Sequence, residues 1–174
     1  FNELSDGRLF YSFANKLNTG FIKENHIVQT ISDKINLKYS KSLINPHGNF
    51  KNLNTKIINT IKNFLPDLVI FGHVNKIENK VFDICKEMKI KTACWYIDSI
   101  SNEFLNGKKK NNFIELVNKV DKCFVTSDPI IFKKQKVFKK LVFIPNPVDS
   151  AVDNLRNFKI KNLEYDVFFA LSHG

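Results

Sequence analysis

A rhythm constrains this chain more than any single motif. Apolar runs of five or six residues recur at DLVIF (67–71), TACWYI (92–97), KCFVT (122–126) and LVFIP (141–145). Between and before them lie stretches whose apolar residues repeat at helical spacing. Leu53, Ile57, Ile61 and Phe64 mark one, closed by Pro66. Ile77, Val81, Ile84, Cys85 and Met88 mark the next, and Phe113, Leu116, Val117 and Val120 another. Recurrence at i, i+3 and i+4 sets such residues on one face of a helix. Asp128 and Pro129 stand where an N-cap and a first helical residue belong, ahead of a short helix that leads into 141–145.

Strands that are apolar throughout need cover on both faces. Parallel pairing supplies it, because the crossover helices lie against the sheet. The expected fold class is therefore α/β: a Rossmann-like doubly wound parallel sheet, with helices on both faces and right-handed crossovers. Upstream, Phe10, Phe13, Leu17 and Phe21 share a face within a helix over 7–24, with Asp6 as its cap and Asn25 as a left-handed stop. HIVQTI (26–31) reads as a further strand. The polar stretch 32–52, with its Pro46-His47-Gly48 turn, reads as loop holding no more than one helical turn.

Composition decides what such a domain can bind. The formal charge is +10, but Arg8 and Arg156 are the only arginines. Nucleic-acid interfaces depend on arginine for bidentate contacts to phosphate and guanine, so no nucleic-acid partner is expected. The lysines read either as a solvated coat or as attraction to an anionic membrane surface or an acidic substrate. Cys85, Cys94 and Cys123 sit in apolar stretches without C-x-x-C spacing, which reads as reduced core thiols in a cytoplasmic protein. No apolar run approaches the roughly 20 residues of a spanning helix. A start at Phe1 reads as a fragment boundary.

Ligands of parallel α/β sheets bind beyond the carboxyl ends of the strands. That rule selects Ser32 and Asp33 after 26–31, Gly72 and His73 after 67–71, Asp98 and Ser99 after 92–97, Ser127 and Asp128 after 122–126, and Asn146 after 141–145. Glu3, Asp6 and Gly7 precede the first helix. His73, brought over the strand ends by a tight turn at Gly72, reads either as a general base or hydrogen-bonder or as a helix cap. Asp98 either holds a substrate hydroxyl or begins a turn. Asp128 reads foremost as a cap, as does Asp6, which also stays a site candidate. His26 and His47 read as structural or exposed. The chain lacks G-x-G-x-x-G, G-x-x-x-x-G-K-[ST] and G-x-S-x-G, and its His and Cys residues lack metal-ligand spacing.

In order along the chain, GRLFYSFANKLNTGFIKENHIV, PDLVIFGH, ACWYIDS, KCFVTSD, VFIPNPVD and YDVFFALSHG resemble the CgeB-like spore-maturation group of GT-B fold glycosyltransferases. Asn25-His26 stands where that group has Gly-His. The resemblance implies an acceptor-side domain over 1–145, an interdomain linker over 146–165 opened by Pro145-Asn146-Pro147, and the start of a truncated donor-side domain over 166–174. It implies sugar transfer from a nucleotide-sugar donor to a cell-surface glycan or similar acceptor, without a bound metal or other cofactor. His73, Asp98, Asp6 and Glu3 become candidates for the catalytic base, and Gly72, Ser99, Ser127, Asn146 and Asp33 candidates for substrate binding. It also implies inactivity of the fragment without its second domain in cis, and a cytoplasmic place, at the inner face of the membrane if the lysines contact anionic lipid. Two other classes compete: a non-catalytic Rossmann-like binding or regulatory module, and a phosphorylatable receiver-like domain. The second is disfavoured because 67–71 ends in Gly72-His73 rather than Asp.

Overall fold

The computed structural model describes residues 12–41, 49–72, 77–100, 108–134, 136–151, 153, 154, 159 and 162. Helix α1, Phe13–Lys23, begins at Ser12, whose Oγ accepts from the Asn15 N–H at 3.4 Å. The cap is thus Ser12, six residues later than Asp6, which lies outside the described residues. The helix ends as expected at Asn25, with φ of 65°, while the His26 N–H reaches back to the Phe21 carbonyl at 3.0 Å.

The strand expected over 26–31 is not formed: residues 26–32 carry no regular structure. Ile27 is 86% exposed, and an apolar run becomes a strand only where a neighbouring strand and a buried face receive it. The polar stretch after it is more helical than expected. Helix α2 spans Asp33–Tyr39, and α3 spans Phe50–Phe64 behind an Asn49 cap that accepts from the N–H groups of Lys51 and Asn52. Leu65 ends α3 in the left-handed region at φ 51°, and Pro66 follows.

From here the alternation appears as read. Strand β1 is Leu68–Phe71, helix α4 Asn79–Glu87, strand β2 Lys91–Tyr96, helix α5 Lys108–Lys119 and strand β3 Lys122–Val125. Two 3-10 turns, Pro129–Phe132 and Lys136–Lys140, lead to strand β4, Leu141–Phe143. All three pairings are parallel, in the order β1-β2-β3-β4. The fold is α/β and Rossmann-like.

The two sheet faces differ. In register, Phe71, Cys94 and Cys123 point to one side, and Ile70, Ala93, Trp95 and Phe124 to the other. The first side carries the main core, with Val81, Cys85, Phe113, Val117 and Phe132 fully or almost fully buried against it. Ring contacts tie the layers: Phe71 to Phe82 at 4.9 Å, Tyr96 to Phe113 at 4.8 Å, and Phe113 to Phe132 at 5.3 Å between centroids. The second side meets α1 through Leu17 and Phe21. No described helix is long and apolar enough to cross a membrane.

Candidate functional site

Beyond β4 the chain turns back onto α1. Lys23 Nζ bonds Asp149 Oδ1 at 2.8 Å and Lys16 Nζ bonds Asp153 Oδ1 at 2.7 Å. Seven residues apart, the two lysines lie two turns apart on one helical face and receive both carboxylates. Asp149 also accepts from the Ala151 N–H, and the Lys23 ammonium and that N–H hold its carboxyl below the usual carboxylate range. This return encloses a pocket of about 390 Å³ between α1 and the second sheet face.

The pocket is almost wholly apolar. Leu17 and Phe21 form one wall, Ile70, Trp95 and Phe124 the floor, and Ile144, Pro145, Asn146 and Pro147 the rim. Its three floor residues, Ile70, Trp95 and Phe124, occupy β1, β2 and β3, each one residue before the carboxyl end of its strand. It therefore opens on the side where parallel sheets take ligands. The Trp95 and Phe124 ring centroids are 6.1 Å apart. Among the described residues two buried side-chain polar atoms lack hydrogen-bond partners: Nε1 of the floor residue Trp95, and Asn18 Oδ1 on α1, beside Leu17. A buried unpaired donor is costly, and this one lies beneath the pocket surface rather than on it.

Of the expected site residues, Asn146 alone among those described lines this pocket. Asp98 and Ser99 lie exposed beyond β2. Asp98 raises the neighbouring Tyr96 phenol, which burial foremost and that charge together push up to about 12. Ser127 Oγ accepts from the Ile100 N–H at 3.0 Å, and Thr126 Oγ1 donates to the Ile97 carbonyl at 3.1 Å, so these hydroxyls pin the loop after β2. Asp128 is the cap expected, accepting from the Ile130 N–H at 2.9 Å. Asp33 stands in the first turn of α2, behind Ser32, whose Oγ accepts from the Ile35 N–H.

Gly72 corrects a reading. Its backbone is not left-handed, and a Cβ there would meet nothing within 4 Å, so neither turn geometry nor crowding requires glycine. Glu3, Asp6 and His73 lie outside the described residues. The aromatic floor was missed from sequence because Trp95 and Phe124 were read only as strand core. The available signal was their phase: Ile70, Trp95 and Phe124 share the face opposite the cysteines.

Among the described residues no group of His, Cys, Asp and Glu is placed to hold a metal ion. Comparison with protein-family models, with curated proteins and with solved structures gives no match.

Proposed function

We propose that the chain is the acceptor-side domain of a glycosyltransferase of the GT-B kind, which takes sugar from a nucleotide-sugar donor to a glycan or similar acceptor. The observation that carries this reading is the pocket: an aromatic floor of Trp95 and Phe124, opening toward the carboxyl ends of a parallel sheet, with Asn146 on its rim. Sugar rings pack their C–H faces on aromatic surfaces, while their hydroxyls accept and donate. The faces of Trp95 and Phe124 supply such a surface, and Asn146 on the rim supplies a polar group. On this reading Asp98, beside the strand ends, is the described candidate for deprotonating the acceptor hydroxyl. His73, Asp6 and Glu3 stay candidates from sequence alone. The donor-binding half, and with it the stabilisation of the departing diphosphate, belongs to a second domain.

Trp95 is the single tryptophan, so its fluorescence reports the pocket directly. Titration with a panel of methyl glycosides and short oligosaccharides should give a saturable shift with at least one member, abolished in Trp95→Phe by loss of the reporter and, independently by calorimetry, weakened in Phe124→Ala. A flat response across the panel, together with no sugar transfer from nucleotide sugars by the complete gene product, would remove the reading.

A non-catalytic binding module is the second reading. It is favoured by the way Ser127 and Asp128 at the strand ends spend hydrogen-bonding capacity on their own backbone. Saturable glycan binding without turnover by the complete gene product would select it.

A further inference from the structure

The opposite end of the sheet carries a second feature that owes nothing to the transfer reading. The helix-to-strand turns arrive at the amino ends of the strands, and all but the first, 65–67, carry lysine within or beside them. Lys89 and Lys91 flank the start of β2, Lys122 opens β3 and Lys139 precedes β4; all four are exposed. Among the described residues none of the four is in a salt bridge.

The acids nearby do not cancel them. Asp67, Glu87 and Asp121 stand one to a turn in the first three turns, and the turn from Lys136 to Leu141 has none. Asp121 spends its Oδ2 on the Thr92 N–H at 2.8 Å and the Thr92 hydroxyl at 3.1 Å, and of the four lysines its charge acts on Lys91. Glu115 is paired with Lys119 at 2.7 Å.

Beside the lysines the same end exposes apolar side chains. Phe64 is 38% exposed, Leu65 65% and Leu68 43%. Leu65 is the telling one: it is held left-handed at φ 51°, a conformation leucine adopts at a cost, with its side chain in water. These residues adjoin the charges, since Leu68 pairs in register with Lys91, and the Lys91 N–H donates to the Asp67 carbonyl at 3.0 Å. Neighbouring strands lie about 4.8 Å apart, so the four strand starts fit within roughly 15 Å of one another across the sheet.

The geometry points to this pole as a docking surface for an anionic lipid bilayer. Lysines at the rim face the phosphate headgroups, while Phe64, Leu65 and Leu68 enter the interface between headgroups and acyl chains. The exposed apolar residues select lipid over a soluble polyanion, which offers charge but no apolar interior. The pole lies opposite the pocket opening, so docked protein would leave the pocket facing away from the bilayer.

The test is co-sedimentation of the full chain with vesicles of phosphatidylcholine alone and of phosphatidylcholine mixed with phosphatidylglycerol. Binding is expected only to the mixed vesicles and should weaken with salt. Each lysine near an anionic surface contributes about fivefold in partitioning, so reversing Lys89, Lys91, Lys122 and Lys139 to Glu should abolish binding. Reversing Lys51, Lys56, Lys80 and Lys110 changes net charge equally but leaves the pole intact, and should retain most of it. Leu65→Asn, suited to the left-handed backbone, should keep the fold and lower partitioning roughly tenfold. Circular dichroism establishes folding of each variant. The proposal is overturned by equal loss in both lysine variants, by a Leu65→Asn protein that binds as well as the parent, or by binding to heparin without binding to mixed vesicles.

Discussion

Lys23 Nζ stands 2.8 Å from Asp149 Oδ1, and that one contact joins the first helix to the chain leaving the last strand, across 126 positions of sequence. Asp149 is 7% exposed, so its carboxylate is sheltered while its partner lysine is half in water. The Lys23 contact foremost, then the Ala151 N–H, hold its carboxyl below the ordinary value of 3.8. The Lys16 contact does the same for Asp153. A carboxyl lowered in the folded state adds stability that is present above the unfolded value and lost as pH falls through the folded one. Urea midpoints should therefore fall on acidification below about pH 4, and Asp149→Asn should flatten that dependence. An unchanged acid profile in the variant would show that the contact does not form in solution.

Lys140 is worth more to the fold than its position on a lysine-rich turn suggests. Its ammonium donates to the carbonyls of Val117, Asn118 and Val120 at 3.2, 3.0 and 2.7 Å, where α5 ends. Helix ends leave such carbonyls unpaired, and a cation there meets the negative end of the helix dipole. Lys140→Met keeps the aliphatic stem and removes the donor, which should cost about 1.5–3 kcal/mol. Equilibrium urea unfolding measures it. A variant as stable as the parent would mean water serves those carbonyls equally well.

What could be read from the sequence, and what could not, divides along physical lines. The runs at 67–71, 92–97, 122–126 and 141–145 became strands because each is apolar on both phases, and a parallel sheet covered on both sides is the arrangement that satisfies them. Caps at Asn25 and Asp128 were legible because they rest on chemistry within a few residues. HIVQTI failed for the opposite reason: a strand needs a neighbour, and local sequence does not name one. Helices α2 and α3 were longer than expected because Ser32 and Asn49 supply caps inside a stretch whose polarity looked like loop. The strand-end rule found Asn146, but the pocket's floor came from side-chain phase and from the ion pairs that fold the chain back over α1.

Gly72→Ala should raise stability by about 0.4–1 kcal/mol, because the residue is not left-handed, its Cβ has room, and alanine narrows the unfolded ensemble. Thermal or urea unfolding decides it. A loss of stability would mean that the chain beyond Gly72 needs a backbone freedom the local geometry does not reveal.

On the alkaline side, three groups share one sign. Burial foremost raises the Cys85 thiol; the contact with Cys123, at 2.8 Å between sulfurs, and then burial raise Cys94; and burial pushes Tyr96 up to about 12. The native state therefore keeps protons that the unfolded chain releases. The stability they contribute is full below the unfolded values, 9.0 for the thiols and 10.0 for the phenol, and is lost as pH rises beyond them. Urea midpoints should decline from about pH 9 upward, and Cys85→Val with Cys94→Val should soften the first part of that decline. Native thiols should also label slowly with a disulfide reagent and all three rapidly in denaturant, since the thiolate is the nucleophile and each sulfur is buried. Fast labelling of Cys94 in the native protein would contradict its place in the sheet.

Trp95→Phe tests whether the pocket floor is shaped for the fold or for a ligand. The indole N–H is buried without a partner, a state that costs about 1–3 kcal/mol. Replacement by Phe removes that penalty but leaves a smaller ring against Phe124, losing packing of similar size. The two effects oppose each other, so the variant should unfold within about 1 kcal/mol of the parent. Calorimetric binding of whichever saccharide shifts Trp95 fluorescence should nevertheless be reduced, because the broader of the two aromatic rings in the described floor is gone. Stability preserved with binding reduced would mark Trp95 as a residue kept for its ligand. A large loss of stability would instead make the indole a core residue whose N–H finds water, and the pocket would then be a packing gap between α1 and the sheet.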